Sequence, residues 1–133
     1  MGLKPRFALA VDDEPAYLEH VCRVLAGAGY SVFKADNART AMEIFQALAA
    51  SVEVLVTDVA MSPVNGSDLA ALLVKLKPDL HVIFVSAYSA FRYHGAPLSS
   101  FAFLAKPFSA QDLLEKIRPE KVRSAGSTVS TEF

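Results

Sequence analysis

Two kinds of hydrophobic pattern alternate along the chain between residues 6 and 118. The first is the short, nearly continuous apolar run, which is found in four segments: Phe7–Val11, Val52–Val56, Leu80–Val85 and Phe101–Ala105. A weaker, alternating run covers Tyr30–Ala35. Such runs are typical of strands in a parallel sheet that is covered on both faces. The sequence therefore predicts five strands.

The second pattern is an apolar stripe at helical spacing in the segments between the runs. Three such stripes are Leu18, Val21, Cys22 and Leu25, then Ala41, Ile44, Phe45 and Leu48, then Leu69, Leu72, Leu73 and Leu76. They predict amphipathic helices. Ser109, followed three residues later by Asp112, predicts a capping box that opens a last helix.

Strand and helix thus follow each other five times. This order predicts an α/β fold, with a doubly wound five-stranded parallel sheet and helices on both faces. Gly95, Pro97 and two serines interrupt the segment before the last strand, so the fourth helix is predicted to be short or irregular. We expect one domain over residues 6–118, followed at 119–133 by a flexible tail or the start of a linker.

Composition excludes several classes of protein. With 133 residues, 53% of them apolar, the chain can build a core without disulfides or a structural metal. A net charge of −1 argues against direct nucleic-acid binding, and no apolar run approaches the roughly 18 residues of a membrane span. The single cysteine, Cys22, fits the reducing cytoplasm, where we expect the protein to be located.

The most informative feature is the set of polar residues that end the apolar runs. Asp12 and Asp13 follow the run Phe7–Val11, and Asp58 follows the run Val52–Val56 after one threonine. Ser86 follows the run that ends at Val85, and Lys106 follows the run that ends at Ala105. The carboxyl ends of parallel strands share one edge of the sheet, where ligands bind at the crevice. We therefore expect these five side chains to converge.

Three neighbouring carboxylates repel one another unless a cation lies among them. Since the oxygen ligands come without paired cysteines or histidines, the preferred cation is Mg²⁺, with Mn²⁺ as the alternative. Lys106 and Ser86 supply an ammonium and a hydroxyl for a tetrahedral dianion, which indicates a phosphoryl group. Asp58 is the candidate nucleophile and would form an acyl phosphate.

Taken together, these residues resemble the receiver domain of the response regulators of two-component signalling. The resemblance rests on Val11-Asp12-Asp13-Glu14-Pro15, on Asp58 with Met61 and Asn65-Gly66 after it, on Ser86-Ala87 and on Lys106-Pro107-Phe108. It implies a flavodoxin-like fold of strand order 2-1-3-4-5 and a cis peptide bond before Pro107. It also implies that Mg²⁺ is bound by Asp13, Asp58 and the backbone carbonyl of Ala60, with Asp12 assisting.

The resemblance further implies that Asp58 accepts phosphate from a phosphohistidine of a sensor histidine kinase or phosphotransfer protein. The protein would then be a signalling phospho-acceptor rather than an enzyme. Ser86 would capture the phosphoryl group, and the aromatic ring of Phe103 would turn inward. This switch would alter an output surface formed by the segment before the fifth strand, that strand and the last helix, and so reach an output domain or partner protein.

Three departures from the family pattern leave an alternative open. Ser62 replaces the proline expected after Met61, the segment from Ser86 to Lys106 is about two residues short, and Phe103 replaces the commoner tyrosine. The alternative is a receiver-fold interaction module whose phosphorylation-dependent switching is lost or altered. The aromatic residues between 88 and 94 either pack inward or form a surface for a homodimer or another partner. A phosphatase is disfavoured, because Ala60 occupies the place of its second acid.

Overall fold

A computed structural model of the chain describes residues 5–49, 51–87 and 102–117. This part contains five strands and four helices. In chain order they are β1 (Phe7–Val11), α1 (Pro15–Gly27), β2 (Ser31–Ala35), α2 (Ala38–Ala47), β3 (Val52–Asp58), α3 (Gly66–Leu76), β4 (His81–Ser86), β5 (Ala102–Ala105) and α4 (Ala110–Ile117). None of the helices in this described part is long and apolar enough to cross a bilayer.

All five strands belong to one parallel sheet of order β2-β1-β3-β4-β5. The chain crosses from β2 past β1 to β3, so the winding direction reverses between β1 and β3. The predicted fold class and strand order are confirmed.

Each face of the sheet carries its own hydrophobic core, because successive side chains of a strand point to opposite faces. In β1, Leu9 and Val11 face a core that includes Phe45 of α2 and Leu73 of α3. The alternate residues of β1 belong to a second core, built with α1 and α4: Ala8 and Ala10. Helices therefore cover both faces, as the nearly continuous apolar strands predict.

The helix ends follow the expected chemistry. The side chains of Asn37 and Asn65 accept hydrogen bonds from Thr40 N and Asp68 N and so cap α2 and α3. Ser109 and Asp112 form the predicted capping box, since the backbone N–H of each donates to the side chain of the other.

The apolar stripe predicted for α3 is wider than the face that the helix buries. Leu69 and Leu73 are buried, but Leu72 and Leu76 are about half exposed. The predicted amphipathic helix is confirmed, but a stripe of leucines does not show how much of it the sheet covers. The short or irregular helix predicted between β4 and β5 and the tail predicted at 119–133 lie outside the described residues, and the domain limits of 6–118 stay a prediction.

Gly66, the first residue of α3, lies directly against the end of β3. Its N–H donates to Val59 O at 2.9 Å, and a Cβ atom added to it would overlap the backbone carbonyl of Asp58. Only a residue without a side chain allows this approach of α3 to Asp58.

We therefore expect Gly66→Ala to lower the free energy of unfolding by about 2 kcal/mol, because the overlap can be relieved only by moving backbone. Urea denaturation followed by circular dichroism measures this. Gly27→Ala is the matched control: nothing lies within 4 Å of the added atom, so stability should be unchanged or slightly raised. Equal stability of the two variants would contradict this account.

Candidate functional site

The register of the sheet brings the five predicted residues to one edge. Val11 of β1 pairs with Thr57 of β3, so Asp12 and Asp58 follow on adjacent strands. Ser86 ends β4 and pairs with Ala105 of β5, directly before Lys106. Asp13 is the next residue after Asp12.

Hydrogen bonds of the backbone hold these strand ends in place. Asp12 N donates to Ala35 O at 3.2 Å, and Lys106 N donates to Ser86 O at 2.7 Å. The buried hydroxyl of Thr57 donates to the backbone carbonyl of Asp58 at 3.0 Å. The positions of the functional side chains are therefore fixed by the sheet rather than by free loops.

Three carboxylates converge at this edge. Oxygen atoms of Asp12, Asp13 and Asp58 all lie within 4.8 Å of one another; Asp12 and Asp58 are buried and Asp13 is exposed. A cluster made only of carboxylate oxygens suits a hard divalent cation such as Mg²⁺ or Mn²⁺. The donor set thus fits the predicted metal, and exposed Asp13 gives the cluster an open side.

Lys106 is the counter-ion of the cluster. Its side chain is only 5% exposed, and its ammonium lies 3.0 Å from Asp12 Oδ2 and 3.7 Å from Asp58 Oδ1. A third carboxylate, Glu14 Oε1, is closer still at 2.7 Å. The ammonium also lies over the ring of Tyr17, 4.3 Å from its centroid.

Burial and mutual repulsion change the acidity of these groups. Burial, followed by the charge of Asp12, raises the pKa of Asp58 from 3.8 to about 6, although Lys106 and a hydrogen bond from the Ala60 backbone act in the opposite direction. Burial also raises the pKa of Asp12. Burial tends to lower the pKa of Lys106, but its hydrogen bonds to Glu14 and Asp12 outweigh this and raise it. Ionising Asp58 in the folded protein thus costs more free energy than ionising a solvated aspartate.

Ser86 and Phe103 lie beside the charged cluster rather than in it. The Ser86 side chain is fully buried, and within the described part of the chain its hydroxyl has no hydrogen-bond partner. Phe103 pairs with Phe84, two residues before Ser86, and the two rings stack with centroids 5.4 Å apart. A buried polar group without a protein partner is uncommon in folded proteins.

Sequence reasoning gave no role to Glu14 or Tyr17, although both contact Lys106. Glu14 stands directly after the acid pair, and Tyr17 is in the first turn of α1. The next turn contributes His20, whose Nε2 lies 3.2 Å from Phe108 O, and the rings of Tyr17 and His20 both pack on Phe108. An acid adjacent to a predicted metal pair was the available signal for Glu14.

With this geometry established, comparison with known proteins identifies the family. Residues 8–118 match the model of the response regulator receiver domain. The chain belongs to this family. It resembles the sensor kinase CckA of Brucella abortus (strain 2308), with 37% identity over 112 residues, which are 83% of this chain but 12% of that protein.

A second relative is close to this chain in length. It is the response regulator receiver protein CpdR of Brucella abortus (strain 2308), 32% identical over 84% of this chain and 92% of that protein. Among solved structures, a response regulator receiver domain protein of Clostridium thermocellum has a TM-score of 0.77 and 26% identity, over 90% of this chain and 96% of that one. The chain spans 12% of the length of CckA and 29% of the length of the transcriptional regulatory protein GlrR of Escherichia coli (strain K12).

Two cis peptide bonds lie near the receiver site. One joins Lys106 and Pro107, as the resemblance implied, and this prediction is confirmed. The other joins Ser62 and Pro63, in the loop after Asp58 where the sequence departs from the family pattern.

The raised pKa of Asp58 predicts a dependence of stability on pH in metal-free buffer. Because the folded-state pKa of about 6 exceeds 3.8, ionising Asp58 costs stability as the pH rises through 6, and the cost is absent below 3.8. Asp58→Asn should therefore raise the free energy of unfolding by about 2 kcal/mol at pH 8, and this gain should vanish towards pH 4. Urea denaturation across this range measures it.

Asp79→Asn is the control of opposite sign. A hydrogen bond from Lys77 and its charge lower the pKa of Asp79, so neutralising this exposed acid should slightly reduce stability at pH 8. A gain for Asp58→Asn that stayed constant between pH 4 and 8 would show that ionisation of Asp58 is not its cause.

Proposed function

We propose that this receiver domain accepts a phosphoryl group on Asp58 from a phosphohistidine donor, in a reaction that depends on Mg²⁺. The observation that carries the proposal is the buried cluster in which Asp58 lies beside Asp12, Asp13 and the Lys106 ammonium. Receiver domains are signalling phospho-acceptors, and the residues of this cluster supply each group that the transfer requires.

In the proposed transfer, a carboxylate oxygen of Asp58 attacks phosphorus. The P–N bond of the phosphohistidine breaks, and its electron pair returns to the ring nitrogen. Because the second ring nitrogen of the donor carries a proton, the ring leaves as neutral imidazole. Lys106 neutralises charge on an equatorial phosphoryl oxygen. Water later attacks the acyl phosphate and releases inorganic phosphate, so the protein returns to its starting state without turning over a metabolite.

Asp12, Asp13 and Asp58, with the backbone carbonyl of Ala60, are the proposed ligands of Mg²⁺, and Mn²⁺ would serve in the same place. The bound cation would offset the negative charge of the phosphoryl oxygens. Asp12 and Asp13 would hold the cation beside the nucleophile. Asp12 does so from a buried position and Asp13 from the exposed side.

We propose that Ser86 and Phe103 form the switch. Ser86 would donate its hydroxyl to a phosphoryl oxygen, and its movement would open volume beside Phe84, against which the Phe103 ring already stacks. The change would reach β5 and α4 together with the segment between β4 and β5. That surface would contact an output domain or a partner protein, or a second copy of the chain in a homodimer.

The proposed phosphohistidine donor, a sensor histidine kinase or a phosphotransfer protein, acts in the cytoplasm, so we place this receiver there. With a net charge of −1, direct nucleic-acid binding is not part of the proposed function.

Incubation with acetyl phosphate and Mg²⁺, followed by intact mass spectrometry, tests the transfer. The parent protein should gain one phosphoryl group, because Asp58 is the nucleophile that the cluster activates. Asp58→Asn should gain none, and chelation of the metal should abolish the gain. Incorporation into Asp58→Asn equal to that of the parent would refute the assignment of Asp58.

A separate experiment distinguishes a working switch from an interaction module that has lost it. Beryllofluoride with Mg²⁺ imitates a phosphoryl group, so it should shift the ring signals of Phe103 in an NMR spectrum of phenylalanine-labelled protein. Ser86→Ala should still accept phosphate from acetyl phosphate, since Ser86 lies outside the charged cluster, but should lose this shift. Phe103→Leu assigns the signal, and a shift that persists in Ser86→Ala would exclude the proposed coupling.

A further inference from the structure

The shortest contact of the Lys106 ammonium is with Glu14, a residue outside the proposed phosphoryl and metal site. Glu14 Oε1 lies 2.7 Å from Lys106 Nζ, whereas Asp58 Oδ1 lies at 3.7 Å, beyond hydrogen-bond distance. The two partners differ in their surroundings, since the Lys106 side chain is 5% exposed and that of Glu14 is 59% exposed. Glu14 thus reaches from the solvent to a buried cation.

The remaining directions around the ammonium are also occupied. Asp12 Oδ2 lies 3.0 Å away as an ion-pair partner, and the Tyr17 ring covers another side with its centroid 4.3 Å away. An ammonium has three N–H donors, and three groups already surround this one: Asp12, Glu14 and the Tyr17 ring. A phosphoryl oxygen on Asp58 would have to share the ammonium with Glu14 or replace it.

We propose that Glu14 is a positioning residue that holds Lys106 before phosphorylation and competes with the phosphoryl group for it. This inference rests on the proposed function. The Glu14 carboxylate withholds a cation that the phosphoryl group needs. The Glu14 side chain is largely exposed, so water can hydrate its carboxylate when the phosphoryl group displaces it from Lys106. The competition is therefore reversible. Glu14 thereby limits how readily the site takes a phosphoryl group.

The test measures the affinity of beryllofluoride for the Mg²⁺-saturated protein by calorimetry. Glu14→Gln should bind about threefold to tenfold more tightly than the parent, as expected for removal of one competing ion pair at a partly exposed site. Saturation with Mg²⁺ keeps an altered metal affinity out of the result.

Glu43→Gln is the matched control. It removes the same charge from an exposed helical position, where Glu43 pairs with Arg39 at 3.6 Å and does not contact Lys106. Its affinity should equal that of the parent. If Glu14→Gln binds no more tightly than Glu43→Gln, or binds more weakly than the parent, the proposal is wrong.

A double variant tests whether Glu14 acts through the lysine. In a Lys106→Met background, Glu14→Gln should have lost most of its effect, whereas a general charge effect would persist and overturn the proposal. Thermal-shift titration extends these measurements to the millimolar affinities expected without the lysine. Failure of the parent to gain a phosphoryl group from acetyl phosphate would instead refute the proposed function, so the two failures are distinguishable.

Discussion

The site depends on one buried cation that faces an excess of carboxylates. Asp12 and Asp58 are almost fully buried at the edge of the sheet, where ionised acids lose most of their hydration. Lys106 is the cation that contacts both, and it also pairs with Glu14. The single ammonium of Lys106 does not balance the charge of these carboxylates. The pKa of Asp58 accordingly stays raised to about 6 although Lys106 is nearby.

The architecture places these opposing charges together before any ligand arrives. Two hydrophobic cores fix the register of β1, β3, β4 and β5. Their carboxyl ends therefore align even though the carboxylates at those ends repel one another. Gly66 brings α3 against the carbonyl of Asp58, and the Thr57 hydroxyl binds the same carbonyl. The free energy of core packing thus offsets the cost of the charged edge, as is usual where functional groups are held in a strained arrangement.

Much of this arrangement could be predicted from the sequence, since it follows from alternation and strand order. Apolar runs and the polar residues that end them were sufficient for the sheet and for the convergence of Asp12, Asp58 and Lys106. The strand order was implied by the resemblance to receiver domains. Glu14 and Tyr17 could not be assigned, because their contacts depend on the reach of side chains in and before the first turn of α1 towards a lysine 92 positions from Glu14 along the chain. The exposure of Leu72 and Leu76 was missed for a related reason: periodicity locates a stripe but not the width of its cover.

The distribution of exposure within the cluster bears on the metal cation that is proposed to accompany phosphorylation. Asp13 and Glu14 are exposed, while Asp12, Asp58 and Lys106 are buried, so the negative charge lies on both sides of the one ammonium. The proposed conversion of Asp58 from a carboxylate into an acyl phosphate would add further negative charge, for which Lys106 would be available only in competition with Glu14. A divalent cation entering from the exposed side at Asp13 would balance that charge without disturbing the sheet. Affinity for the metal and affinity for the phosphoryl group should therefore be coupled through the charge of the cluster formed by Asp12, Asp13 and Asp58.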